Sequence, residues 1–167
     1  VVLKRYRDAR RDGDRVYGII RAIGSGSDGK GKAIAAPSAK GQVMTLKRCL
    51  EGARRPVDPA EVGFIEAHGT ATKAGDEAEI TALKEVFGPP GKRGRWCALG
   101  SVKSMIGHTK SAAGTAGLIK ACLALEHKVL PPTIKVTRPA QALLDEDSPF
   151  YVNTLPRPWI RRDRRPR

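Results

Sequence analysis

Apolar positions change their spacing along this chain, and each change marks an element. Val1-Val2-Leu3 reads as the interior of a strand, and residues 15–23 alternate in strand fashion with Val16, Ile19 and Ile23 among the apolar members. The glycine-rich stretch 24–32 that follows is a loop. Residues 40–52 switch to helical spacing, with Val43, Leu46 and Leu50 at i, i+3 and i+7. After a turn over 55–59, residues 62–67 form a short buried strand that ends at His68. Asp76-Glu77-Ala78-Glu79 has the form of a capping box, an acidic N-cap with Glu three residues on, and predicts a helix carrying Ile80, Leu83 and Phe87 that stops at Gly88-Pro89-Pro90. Residues 96–99 are the next strand. Ser111 is placed to cap a long helix over 112–127, whose Ala- and Gly-rich start lets its backbone approach a neighbour closely. Pro131-Pro132 closes that region, and Phe150-Tyr151-Val152 is a late strand. The alternation of strands and helices predicts an α/β layered fold.

Composition narrows the class. With 167 residues and 40% hydrophobic content, the chain can bury one core. No apolar run approaches the ~18–20 residues of a membrane span and no signal-peptide pattern opens the chain, so a cytoplasmic protein without membrane partners is expected. The first residue is Val1 rather than Met, which predicts a piece of a longer polypeptide. Cys49, Cys97 and Cys122 form no CxxC pair, and their odd number argues against a disulfide framework or a tetrahedral metal site.

The net charge of +14 raises the question of nucleic acid. Much of the excess is terminal: residues 157–167 carry six Arg against one Asp, and residues 4–15 carry six Lys or Arg against three Asp. Beyond Trp159 the tail has no aromatics between its arginines for bases to stack on. Residues 160–167 read as an Arg-rich linker, and residues 1–159 as the globular portion. Gly24, Gly29 and Lys30 match the first seven positions of a phosphate-binding loop, but the eighth is Gly31 instead of Ser or Thr, and Gly31 and Pro37 oppose the helix that should follow.

His68 and His108 carry the candidate chemistry. Each closes an apolar run, each is next to a glycine that leaves room for a ligand, and each precedes a helix whose amino terminus favours negative charge. Strand ends in an open α/β sheet are where such groups converge on a pocket. Lys103, five residues before His108, is either a solvated charge or, in a cleft, a cation that holds an acidic group or tunes the imidazole. Thr70 and Thr72 alternate, so their hydroxyls face one side, suited to an amide-bearing ligand arm or to turn capping. His127 matches no site pattern and reads as a helix-terminal surface charge.

Glu66-Ala67-His68-Gly69-Thr70-x-Thr72 and Gly100-Ser101-Val102-Lys103-Ser104-x-Ile106-Gly107-His108 resemble the two histidine motifs of β-ketoacyl synthases, the condensing enzymes of fatty-acid and polyketide synthesis. The likeness continues through Gly114, Ala116-Gly117-Leu118-Ile119-Lys120-Ala121, Leu130-Pro131-Pro132-Thr133-Ile134, Ser148-Pro149-Phe150-Tyr151-Val152-Asn153-Thr154 and Arg157-Pro158-Trp159. Ser27-Asp28-Gly29-Lys30, Gly107-His108-Thr109-Lys110 and Ser148-Pro149-Phe150-Tyr151 look most like polyunsaturated-fatty-acid and iterative type I polyketide ketosynthases. The resemblance implies the carboxyl-terminal half of a thiolase-like α-β-α fold and a decarboxylative Claisen condensation. It implies that His68 and His108 stabilise the charge developing on a malonyl thioester, that Lys103 supports the second histidine, and that Thr70 and Thr72 contact the phosphopantetheine arm of an acyl carrier protein. No directly bound cofactor and no metal is implied. The partners it implies are the carrier protein, an amino-terminal half bearing the nucleophilic cysteine, and a second copy in a homodimer.

The match is incomplete. None of Cys49, Cys97 and Cys122 has the small-residue setting of the family's nucleophile, and the glycine-rich loop that normally follows the Arg-Pro-Trp segment does not appear. Ala71 stands where glycine is more usual between the two threonines. The chain on its own is therefore expected neither to condense anything nor to cover its sheet edges. Two other readings stay open at this point: a non-catalytic ketosynthase-like partner that shapes a dimer or gates chain length, and a basic nucleic-acid-binding module.

Overall fold

The computed structural model describes residues 1–29, 36–160 and 167. Lys30 and Gly31 of the loop resembling a phosphate-binding motif, and most of the 160–167 tail, lie outside the described residues. Three parallel strands form the centre: β1 (Phe64–Glu66), β2 (Cys97–Gly100) and β4 (Phe150–Val152), in the order β1-β2-β4. A second, antiparallel pair joins β3 (Val129–Leu130) to β5 (Arg157–Pro158). The helices are α1 (Tyr6–Asp12), α2 (Ala39–Glu51), α3 (Lys73–Phe87), α4 (Lys103–Ile106), α5 (Ala113–His127) and α6 (Gln141–Leu144).

Strand alternation sends successive side chains to opposite faces of the sheet, and the two faces meet different helices. Ile65, Cys97, Leu99, Phe150 and Val152 point one way and pack with Ile80 and Leu83 of α3 and Leu143 of α6. Phe150 is fully buried and meets the Phe87 ring edge-on at 5.3 Å. The alternate residues Phe64, Glu66 and Gly100 face α5: Glu66 pairs with Lys120, and the Lys120 ammonium lies 5.5 Å from the centre of the Phe64 ring. The expected helix–sheet–helix layering is therefore present. Asn153, 1% exposed, donates from Nδ2 to the Leu130 and Pro131 carbonyls and fixes the chain entering and leaving this core.

Several elements match their sequence signals. The helix expected over 40–52 is α2, and its start is fixed by Ser38, which the apolar spacing does not single out: Ser38 Oγ accepts from the Gly41 N–H at 3.1 Å. Gly88, with φ +69°, ends α3 in a conformation that glycine adopts without strain. His127 is exposed at the end of α5.

Three expectations are corrected. Residues 1–3 and 15–23 form no ladder, because the described chain offers them no partner strand. The second segment crosses helices instead: Gly18 passes against Cys122 and Leu125 of α5, Gly24 against Thr45 and Cys49 of α2, and Ile19, Ile20 and Ile23 stay exposed. Asp76 is no N-cap, since α3 begins at Lys73 with Thr72 before it, and Glu79 turns back to a different partner described below. Ser111 is no cap either: it lies within a 3-10 turn, Lys110–Ala112, and α5 begins at Ala113.

Replacing Phe150 with Ala removes the largest fully buried side chain from between the sheet and α3. A destabilisation of about 3–5 kcal/mol is expected in urea unfolding of the domain containing this chain; a loss under about 1 kcal/mol would contradict the packing described.

Candidate active site

Parallel pairing of Phe64 with Ala98, Ile65 with Leu99 and Glu66 with Gly100 brings the carboxyl ends of β1 and β2 side by side. The ladder is extended by the Ala67 N–H donating to the Gly100 carbonyl at 2.7 Å. Beyond that point the two strands diverge into separate turns, one leading to α3 and one to α4.

The first turn carries His68. Its backbone is held from below by Glu79 of α3, whose two carboxylate oxygens accept from the His68 N–H at 2.7 Å and the Gly69 N–H at 3.0 Å. Gly69 (φ +46°) lies so close to Ser101 that a Cβ would come within 2.9 Å of the Ser101 side chain. Asp76 stands beside Glu79. Burial, and then the Glu79 charge, push its carboxyl above the usual range, opposed by the backbone N–H groups of Ala71 and Thr70 and by His68. Ala71 itself has φ +61°, a left-handed conformation that explains why glycine suits this position.

The second turn carries Lys103 and His108. Ser101 Oγ donates to the His68 carbonyl at 3.4 Å and so links the two turns. The short helix α4 ends at Gly107, whose φ of +75° redirects the chain into His108. His108 Nδ1 accepts the Lys110 backbone N–H at 3.0 Å. In the neutral ring this leaves the proton on Nε2, so the imidazole offers an N–H donor from its far side. Desolvation, followed by the positive charges of Lys103, His68 and Lys110, holds the His108 pKa below its ordinary value. The neutral donor form is thereby favoured.

The rings of His68 and His108 meet edge to face, 5.4 Å between centres and 85° between planes, although forty residues of chain separate them. Both side chains are exposed to solvent, beside a cavity of about 640 Å³ whose lining includes His108 and the two chain neighbours of His68, Ala67 and Gly69. His108, Lys103 and Thr70 line that cavity; its floor is apolar, from Ile80, Leu99, Leu143 and Val152, and Lys135 and Arg138 stand at its edge. Lys103 is half-buried and lines the cavity. Thr70 and Thr72 place their hydroxyl oxygens 3.2 Å apart, on one side of the turn as their spacing predicts. All five sequence-predicted residues thus gather around the ends of two strands. Among the described residues there is no group of three or more His, Cys, Asp or Glu able to hold a metal, and no helix long and apolar enough to cross a membrane.

Sequence reasoning misses the groups beneath this arrangement. Glu66 accepts the Val102 N–H through Oε1 and pairs with the Lys120 ammonium through Oε2 at 2.7 Å, with both side chains largely buried. A lysine in the middle of an apolar helix is the available signal, since a buried ammonium requires an acidic partner. Glu79 stands out in the sequence only in a local role, which the tertiary structure overrides. Cys97 lies fully buried in β2, and burial pushes its thiol up to about 12, which agrees with an inert strand-interior residue.

Comparison with known proteins gives a consistent result. The family model described as "Beta-ketoacyl synthase, C-terminal domain" matches residues 17–137. The chain is 46% identical over 167 residues to polyketide synthase PksL of Bacillus subtilis, covering all of this chain and 4% of that protein. It is 47% identical over 166 residues to one subunit of the polyunsaturated fatty acid synthase of a Thraustochytrium species, covering 96% of this chain and 6% of that protein. Among solved structures, the ketosynthase from module 6 of the Bacillus subtilis bacillaene synthase superposes with a TM-score of 0.88 at 43% identity, covering 98% of this chain and 30% of that one. The chain therefore spans a small fraction of these curated relatives, and its fold is the thiolase-like layered fold of its structural neighbours.

In a histidine-resolved NMR titration His108 is expected to reach its midpoint below the ordinary 6.5. Lys103→Met removes a positive neighbour that favours the neutral ring, so it should raise that midpoint; a fall, or no change, would contradict the electrostatics described.

Proposed function

Because the chain belongs to the β-ketoacyl synthase family, we propose that it supplies the histidine-bearing part of a condensing site for carrier-protein-bound malonyl groups in polyketide or fatty-acid synthesis. One observation carries this reading: two imidazoles, from the ends of adjacent parallel strands, meet edge to face beside a cavity lined by His108 and by the neighbours of His68. The transferase operates with an amino-terminal part of the same domain, which bears the nucleophilic cysteine, and acts as a homodimer.

The chemistry follows from the groups present. A malonyl thioester enters on the phosphopantetheine arm of an acyl carrier protein, and the hydroxyls of Thr70 and Thr72 hydrogen-bond the amides of that arm. The bond between the malonyl carboxylate and the methylene carbon breaks, and carbon dioxide leaves. The electron pair stays on the remaining two-carbon unit as an enolate whose charge rests largely on the thioester oxygen. N–H donors from His68 and His108 stabilise that oxygen without reorganising as the charge grows. The enolate carbon then attacks the acyl thioester on the cysteine; a carbon–carbon bond forms, and the thiolate departs with the electron pair of the broken carbon–sulfur bond. Lys103 is a positioning residue that keeps His108 uncharged and therefore suited to donating a hydrogen bond. No cofactor is bound directly; the prosthetic arm belongs to the carrier protein.

Replacing His68 or His108 with Ala in the full synthase is expected to slow decarboxylation of malonyl carrier protein about 10²–10³-fold, the usual cost of losing one such donor. Release of carbon dioxide from labelled malonyl carrier protein measures it, and wild-type rates in both variants would end this assignment.

A further inference from the structure

We propose that Glu66 and Lys120 act as a positioning strut that sets the two histidine turns relative to each other, without touching substrate. This rests on the condensing-site reading above and assigns it two further residues.

The geometry gives the reason. Glu66 lies two residues before His68, at the end of β1. Its Oε1 holds the Val102 N–H, immediately before Lys103 and six residues before His108. Its Oε2 holds Lys120 of α5 at 2.7 Å. One carboxylate therefore joins three elements: the strand that delivers the first histidine, the turn that leads to the second, and the helix packed behind both. Lys120 is fixed in its own right, with its ammonium near the Phe64 ring and facing Gly100, where a Cβ would sit 3.5 Å from Nζ. Gly117, one turn before Lys120, leaves the room required: a Cβ there would sit 3.0 Å from Glu66 Cγ.

The energetics favour a positional role over a purely stabilising one. A buried ion pair seldom improves on apolar residues of the same volume, because desolvation of both charges offsets their attraction. What it adds is directionality. Among the described residues, the other recorded links between the two turns are a backbone hydrogen bond from Ala67 to Gly100, the long Ser101-to-His68 contact and the edge-to-face contact of the two rings themselves. Without the strut, the imidazoles are free to drift by a fraction of their separation, and displacements near 1 Å can cost on the order of 10² in rate.

The test uses the full synthase. Lys120→Met alone strands the Glu66 carboxylate and can prevent folding, so the decisive variant is the double replacement Glu66→Gln with Lys120→Met. It removes both charges while Gln keeps a carbonyl for the Val102 N–H. The double variant is expected to melt near the wild type and to transfer acyl groups onto the synthase's own cysteine within about twofold of the wild type. Its kcat for malonyl decarboxylation should fall at least tenfold, with KM for malonyl carrier protein little changed. Wild-type decarboxylation in the folded double variant would overturn the strut. So would a parallel fall in stability, acylation and decarboxylation, which would mark a merely structural pair. His68→Ala and His108→Ala run alongside separate the two levels: their retaining full decarboxylation defeats the condensing-site reading itself, whatever the double variant does.

Discussion

The register of β1 on β2 is the constraint from which the site follows. Pairing Glu66 with Gly100 makes both strands end at the same level, so the turns that follow begin side by side. A slip of one residue would invert every side chain of β1: Ile65 would leave the α3 core and Glu66 would enter it. The register is thus enforced twice, by the apolar cluster on one face and by a buried charge on the other. Once it is set, the two histidines need only short, glycine-hinged turns to meet.

Carboxylates, rather than apolar contacts, define the fine geometry. Glu79 reaches up from α3 to the His68 and Gly69 amides, and Glu66 reaches across to the Val102 amide. Charge-assisted hydrogen bonds to backbone N–H groups are short and directional, and they fix a turn in a way that dispersion contacts do not. The same logic sets the state of His108. A backbone amide occupies Nδ1 and positive neighbours discourage protonation, which leaves a neutral ring with one donor directed away from its own turn.

How much of this is legible in the sequence depends on whether the cause is local. The turns bearing His68 and His108 are legible because glycine, threonine and histidine are contiguous there, and α2, α3 and the three core strands because their apolar spacing is strong. Misreadings arise where tertiary contacts outweigh local rules. Asp76 and Glu79 have the spacing of a capping box, yet the helix starts a turn earlier and both carboxylates face the His68 turn. Residues 15–23 alternate like a strand but run across α5 and α2. The Glu66–Lys120 pair joins residues distant in sequence, and only the polarity of Lys120 within an apolar helix hints at it. Lys103 admits two readings from sequence because burial, which bears on the choice, is not written in a single chain of letters.

The proposed convergence of the imidazoles on one reacting oxygen is best tested by a crystal structure of the complete domain with a non-reactive malonyl analogue on a pantetheine arm, in which an amide replaces the thioester. The account requires the analogue's carbonyl oxygen to lie about 2.7–3.2 Å from a ring nitrogen of both His68 and His108. An oxygen held by other groups, with either imidazole turned away from it, would contradict the account.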